Sequence, residues 1–114
     1  MSRPSIRQRL AAGDRLLLDG AMGSELQRRG VFLSHGVTDE GKLGPWSATA
    51  LRDAPETVRQ IHEDYIHAGA DIHTTNSFWT NSVKLGMVGL ADQAEAYTRL
   101  AAELAVEARD RLNP

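Results

Sequence analysis

The chain is predicted to be an α/β protein built on a parallel sheet. Two short segments at residues 15–19 and 71–77 have the composition of strands, and each is followed by segments with helical periodicity. Strands that alternate with helical patterns in this order are typical of βαβ units, whose strands run parallel. The run Leu16-Leu17-Leu18 is continuous rather than alternating, as expected for a strand covered on both faces.

The first third of the chain holds two short predicted helices on either side of the first strand. Residues 6–12 predict one helix that Gly13 ends, and residues 24–29 predict another that Gly30 ends. The stretch 31–45 is rich in glycine and lacks periodicity, so it is predicted to be a loop.

Four further helices are predicted in the rest of the chain. Residues 48–53 and 81–87 predict short ones, and a longer helix starts with Pro55 in its first turn and ends at Gly69. The final helix is marked by apolar residues at spacings of three or four. These residues are Leu90, Ala94, Tyr97, Ala101, Leu104, Ala108 and Leu112.

The composition is that of an ordinary globular domain and excludes several classes of protein. The 114 residues are 41% hydrophobic and 25% charged, with a formal net charge of -2, which gives no basic footprint for nucleic acid. No apolar run approaches the length of a membrane span. Cysteine is absent, which excludes disulfides and thiolate metal sites in these residues. We expect a cytoplasmic protein.

Asp19 and Gly20 stand where the first predicted strand meets a loop. A carboxylate there can accept charge-assisted hydrogen bonds from a substrate ammonium group, and a glycine lets a ligand approach the backbone. The alternative is that Asp19 only caps the turn that follows it. The polar run Thr74-Thr75-Asn76-Ser77 ends the second predicted strand, and parallel pairing would bring it near Asp19.

Three segments of the chain resemble the homocysteine S-methyltransferase family. They are LLLDGAMGSEL at residues 16–26, APETVR at residues 54–59 and AGADIHTTNSF at residues 68–78. Proteins of this family transfer a methyl group to the sulfur of homocysteine, giving methionine. They bind a catalytic zinc through cysteine thiolates in their C-terminal half.

The resemblance sharpens the predicted fold to the first two βα units of a (β/α)₈ TIM-type barrel. Barrels of this kind take about 250 residues, so we expect an incomplete one here. Residues 1–114 are expected to form an N-terminal portion of the barrel, with a leading helix in 1–14 and βα units 1 and 2 in 15–114.

The resemblance also assigns candidate substrate-binding residues. It implies that Asp19 and Gly20 hold the amino acid portion of homocysteine, and that Thr75 and Asn76 orient the substrates. Thr74 and Ser77 are expected to cap the next helix or to bind loop backbone instead.

The two tryptophans, Trp46 and Trp79, are candidates for the mouth of the barrel. The methyl donors of the family include sulfonium and quaternary ammonium compounds, and an aromatic face attracts such cations. The alternative for each tryptophan is that it packs a loop onto the body of the domain. The donor stays open among S-methylmethionine, S-adenosylmethionine, betaine and a methylated folate.

The four histidines do not predict a metal site. His73 is expected to be hydrogen-bonded in place, with a proton carrier or a metal ligand as the alternative readings. His62 and His67 are about 140° apart around one helix axis and cannot converge on one ion. His35 lies in the predicted loop.

We therefore expect an N-terminal fragment that resembles a zinc-dependent homocysteine S-methyltransferase and is inactive alone. Zinc is its cofactor only by resemblance, and no catalytic residue and no metal ligand is predicted in these residues. The expected partners are homocysteine, a methyl donor, and either a complementing C-terminal polypeptide or a second copy of the chain. The alternative is a non-catalytic remnant or a small partner-binding module that associates through its open barrel edge.

Overall fold

The computed structural model describes residues 3–31, 33, 36–37 and 44–112. Within these ranges the fold is mainly helical, and its strand pairing consists of isolated bridges, of which the one between Leu18 and Ile72 has both partners described. Its helices are α1 (Ile6–Ala11), α2 (Gly23–Arg28), α3 (Ala50–Asp53), α4 (Pro55–His67), α5 (Ser82–Gly86) and α6 (Ala94–Leu112). Short 3₁₀ turns at Trp46–Thr49 and Ala91–Gln93 lead into α3 and α6.

The helix ends follow the punctuation of the sequence. A capping box starts α1, in which the Ser5 hydroxyl accepts from the Gln8 backbone N–H and the Ser5 N–H donates to the Gln8 side chain. Pro55 occupies the first turn of α4, and the Asn81 side chain caps α5 by accepting from the Lys84 N–H. The predicted helices are confirmed, with bounds that shift by a few residues.

The core lies between α4 and α6. Val58 and Ile61 of α4 are fully buried, and the predicted stripe of α6 turns its central members inward. The buried members of that stripe are Tyr97, Ala101, Leu104 and Ala108. Leu26 of α2, Leu51 of α3 and Leu85 of α5 belong to the same core cluster.

The two predicted strands pair in parallel through one bridge, between Leu18 and Ile72. The Asp19 N–H donates to the Ile72 carbonyl over 3.0 Å, and the Asp71 N–H donates to the Leu17 carbonyl over 2.8 Å. The regular strands expected over 15–19 and 71–77 shrink to this bridge in the described residues. An isolated parallel pair lacks the neighbouring strands that extend such a ladder.

Both faces of the first paired segment are open. Leu17 is 58% exposed and Leu18 is 62% exposed, although successive residues of a strand point to opposite faces. The expectation that this segment is covered on both faces is therefore not met by the described residues.

Two contacts fix the neck of the predicted loop, most of which lies outside the described residues. The Gly44 N–H donates to the Gly36 carbonyl over 3.0 Å. The backbone of Gly36 packs so closely on Trp46 that an added Cβ would lie 2.3 Å from the Trp46 Cα. The chain on both sides of the loop is thus held at one point of the body.

Candidate functional site

The parallel bridge brings the ends of the two paired segments together, as the sequence predicts. Asp19 follows Leu18 directly, and Thr74 lies two residues beyond Ile72. The Thr74 N–H donates to Asp19 Oδ2 over 2.9 Å, and the Thr74 hydroxyl donates to Asp19 Oδ1 over 3.2 Å. Each carboxylate oxygen of Asp19 therefore has a donor from the neighbouring segment.

The Asp19 carboxylate has no basic partner among the described residues. Its hydrogen bonds come from Thr74, which is neutral, and none of the ion pairs in the described ranges involves it. The side chain is half-buried. A half-buried carboxylate that has neutral donors and no counter-ion within the described ranges can attract a small cation such as an ammonium group.

Gly20 is needed for the close packing of the turn that follows Asp19. A Cβ at Gly20 would lie 2.9 Å from the Tyr65 hydroxyl oxygen. That hydroxyl donates to the Ala21 carbonyl over 2.8 Å, so Tyr65 of α4 holds the turn in place. Burial raises the pKa of Tyr65, and the carboxylates of Glu25 and Asp19 add to the effect.

Thr75 and Asn76 lie beside this pair but make contacts of their own. The Thr75 and Ser77 hydroxyl oxygens are 2.6 Å apart. Asn76 is buried, and its side-chain amide donates to the Ser47 carbonyl over 3.1 Å. Asn76 thereby ties the second paired segment to the 3₁₀ turn before α3.

Trp46 is packed into the body, as in the alternative that the sequence left open. A Cβ at Gly23 would lie 2.5 Å from the indole ring, so the ring rests directly on the start of α2. The backbone of Trp46 has a φ of 40°, in the left-handed region that a tryptophan rarely adopts. The Thr49 hydroxyl donates to the Trp46 carbonyl over 2.8 Å and closes the 3₁₀ turn.

Trp79 already has a cation over its ring. The Lys84 ammonium lies 4.4 Å from the ring centroid, and the neighbouring Phe78 ring meets Trp79 edge-on with centroids 4.5 Å apart. A methyl donor that used this face of Trp79 would have to displace Lys84. Phe78 itself is 79% exposed.

Two histidines that are eleven residues apart in the sequence lie together next to the site. The rings of His62 and His73 have centroids 5.0 Å apart. His73 is hydrogen-bonded as expected: its Nε2 donates to the Ala105 carbonyl over 2.9 Å, since a carbonyl can only accept. His62 is fully buried, and neither of its ring nitrogens has a hydrogen-bond partner among the described residues.

The pKa of His62 reflects that setting. It is lowered from 6.5 to about 4, mainly by burial and to a smaller extent by the nearby His73, while the Asp19 carboxylate has the opposite effect. A signal in the sequence could have revealed this residue. His62 lies four positions after Val58, so it falls on the buried face of α4.

The residues present do not fit the zinc site that the family resemblance implies. The chain has no cysteine, and the described ranges contain no group of three or more His, Asp or Glu side chains that could hold a metal ion. His35, which the sequence places in the loop, lies outside the described residues.

Among the helices of the described chain, none combines the length and apolar character needed to cross a membrane.

Comparison with known proteins places the chain in a family. The family model for homocysteine S-methyltransferase matches residues 16–114. The chain is 36% identical over 96 residues to a homocysteine S-methyltransferase of Bacillus subtilis, and 37% identical over 106 residues to that of Escherichia coli. It is 38% identical over 112 residues to a selenocysteine methyltransferase of Astragalus bisulcatus.

These alignments cover most of the chain but a minor part of each relative. They include 83%, 92% and 96% of this chain for the Bacillus, Escherichia and Astragalus proteins. The same alignments span 28%, 32% and 31% of those three relatives. The chain belongs to the homocysteine S-methyltransferase family and spans about a third of the length of these members.

Proposed function

We propose that these 114 residues form the part of a homocysteine S-methyltransferase that binds the amino acid portion of homocysteine. The observation that carries the proposal is the Asp19 carboxylate, which is half-buried, bonded by the neutral donors of Thr74, and without a basic partner among the described residues. Its charge fits the α-ammonium group of the substrate. Gly20 is exposed, so the backbone next to Asp19 is open to a ligand on the side away from Tyr65.

The overall reaction in this proposal is methyl transfer to the sulfur of homocysteine, which gives methionine. The sulfur must be deprotonated before it can attack the methyl carbon of a donor, because the thiolate is the nucleophile. The described residues offer no group suited to hold zinc at the sulfur, so the activating group has to come from elsewhere in a working enzyme. We therefore expect binding without turnover from these residues alone.

The fold class supports the same proposal. The parallel pairing of Leu18 with Ile72 and the helices that follow each segment are what the first two βα units of a (β/α)₈ barrel require. Active sites of such barrels lie at the carboxyl ends of the strands, which is where Asp19 and Thr74 meet. Trp46 and Asn76 then support the site by packing, and Trp79 contributes only if Lys84 moves away.

Titration calorimetry with L-homocysteine tests the binding step. Asp19→Asn removes the charge and is expected to weaken binding at least about tenfold, the usual effect of losing a charged hydrogen bond. Asp92→Asn is the matched control, since Asp92 is exposed in the 3₁₀ turn before α6. Equal affinity of the Asp19 variant and the unsubstituted chain would refute the proposed site.

A complementation assay tests the reaction. The chain is mixed with the cysteine-bearing remainder of a homocysteine S-methyltransferase, and methionine formation is followed with and without zinc. We expect zinc-dependent turnover from the mixture and none from either piece. Methionine formation by the unsubstituted chain alone would contradict the proposal that thiol activation lies outside it.

The open apolar surface favours a second candidate, a non-catalytic partner-binding module. Leu17 and Leu18 are both mostly exposed at the paired segments, and Phe78 and Val83 are 79% and 78% exposed around α5. A cooperative thermal transition of the isolated chain, together with no rescue by the cysteine-bearing remainder, would favour this candidate. An isolated chain that aggregates until the remainder is added would favour the enzyme part.

A further inference from the structure

We propose that Thr74 is a positioning residue that orients the Asp19 carboxylate toward the α-ammonium group of homocysteine. This inference rests on the proposed function, and it gives Thr74 a role other than the one that its sequence position predicts, which is to cap a helix or to bind loop backbone. The cap of α5 is made by Asn81 instead, and both described hydrogen bonds of Thr74 go to Asp19.

The geometry lets one residue hold the whole carboxylate. The Thr74 N–H binds one oxygen over 2.9 Å and its hydroxyl binds the other over 3.2 Å. The terminal torsion of an aspartate side chain is soft, so two donors on different oxygens are needed to fix its plane. A carboxylate offers about four lone-pair positions, and two stay free for a substrate.

Asp71, a second aspartate in the same pair of segments, provides a comparison for the charge of Asp19. Asp71 is also held by one backbone N–H and one side chain, namely the Leu17 N–H over 2.9 Å and the Arg9 guanidinium over 2.6 Å. Arg9, which also pairs with Asp14, forms an ion pair with Asp71 and lowers its pKa. Thr74 orients Asp19 in a similar way but brings no positive charge, so the charge of Asp19 stays available for a ligand.

The test compares two ligands that differ only in the group that Asp19 would bind. L-Homocysteine carries the α-amino group and 4-mercaptobutanoate lacks it. Affinities of the full 114-residue chain for both are measured by ligand-detected NMR. The variants are Thr74→Val, which loses the hydroxyl and keeps the shape, and Thr74→Ser, which keeps both donors. Thr74→Ala is a second hydroxyl-free variant if the valine variant unfolds.

We expect Thr74→Val to weaken homocysteine binding about five- to tenfold, the effect of one lost hydrogen bond, and to leave 4-mercaptobutanoate binding unchanged. Thr74→Ser should restore the homocysteine affinity of the unsubstituted chain. Equal weakening for both ligands would show a merely structural role and overturn the inference, as would a valine variant with full affinity.

The Asp19→Asn variant separates this inference from the proposed function. If Asp19→Asn weakens homocysteine binding and Thr74→Val does not, the ammonium site stands and the positioning role of Thr74 is refuted. If Asp19→Asn has no effect, or if the unsubstituted chain does not bind homocysteine, the proposed function fails and the role of Thr74 fails with it.

Discussion

Acid should destabilise this fold in part through the buried residue His62. The side chain is fully buried on α4, and neither ring nitrogen has a hydrogen-bond partner among the described residues. Protonation would place a positive charge there, 5.0 Å from the ring of His73. The charged form is therefore much less favourable in the folded chain than in the unfolded one.

The size of the effect follows from the pKa of His62. Folding lowers it from 6.5 to about 4, so between these two pH values the unfolded chain binds the proton more readily than the folded chain. The contribution of His62 to the free energy of unfolding is therefore fully present above pH 6.5 and is lost as the pH drops toward 4. At about 1.4 kcal/mol for each pKa unit, the loss approaches about 3 kcal/mol, with no further contribution from His62 below that range.

The assay is urea unfolding at several pH values from 7 to 4, with His62→Leu as the variant. Leucine leaves no polar atom unpaired, so the variant should be as stable as the unsubstituted chain at pH 7 and should lose much less stability in acid. His67→Leu is the matched control, because His67 lies on the same helix and is exposed.

NMR titration gives an independent reading of the same residue. The His62 ring resonances of the folded chain should shift with a midpoint near 4. A midpoint near the ordinary histidine value, or an acid-dependent loss of stability that is the same in His62→Leu and the unsubstituted chain, would refute the reasoning.

Three further substitutions should report on packing and charge in the described fold. Gly20→Ala places a methyl group 2.9 Å from the Tyr65 hydroxyl and should destabilise the chain by about 1–3 kcal/mol in urea unfolding; an unchanged midpoint would contradict this packing. Leu104→Ala removes a side chain that is 4% exposed and should cost about 2–5 kcal/mol, whereas the control Val106→Ala, at a position 43% exposed on the same helix, should change little. Arg9→Gln breaks two ion pairs with Asp14 and Asp71, whose pKa values are lowered. It should reduce the melting temperature at neutral pH but not in strong acid, because both carboxylates are protonated there. An equal reduction at both pH values would argue against the ion pairs.

The sequence was sufficient to predict the helices and the meeting of Asp19 with the end of the second segment. Helical periodicity and glycine or proline at the ends mark elements by local physics alone, as at Pro55 of α4. The proximity of Asp19 to the Thr74 region follows from parallel pairing, which requires only that two segments be recognised as neighbours.

Contacts between residues that are distant in the chain could not be predicted from the sequence. The pair of His62 and His73 depends on how α4 crosses the second segment, and no local pattern encodes that crossing. The contact of Lys84 with the Trp79 ring is likewise not encoded by any local pattern. It puts a lysine on the ring for which the sequence predicts a cationic methyl donor. The sequence predicts a helix cap or a loop-backbone contact for Thr74, because a threonine hydroxyl can bind nearby backbone. In the structure Thr74 donates its hydrogen bonds to Asp19, which is distant in the sequence.

Because of the hydrogen bond between Gly44 and Gly36, the length of the chain between these residues can change without changing the fold of the body. The two glycines are joined at the neck by a hydrogen bond of 3.0 Å, and Trp46 lies two residues after Gly44. The chain between the glycines can lengthen with little penalty, because doubling a flexible loop costs only about 0.6 kcal/mol of closure entropy. Insertions between the two glycines should therefore leave α2 and α3 in place, because this hydrogen bond holds both ends of the inserted chain against the body, and the melting temperature of such an insertion variant should stay close to that of the unsubstituted chain.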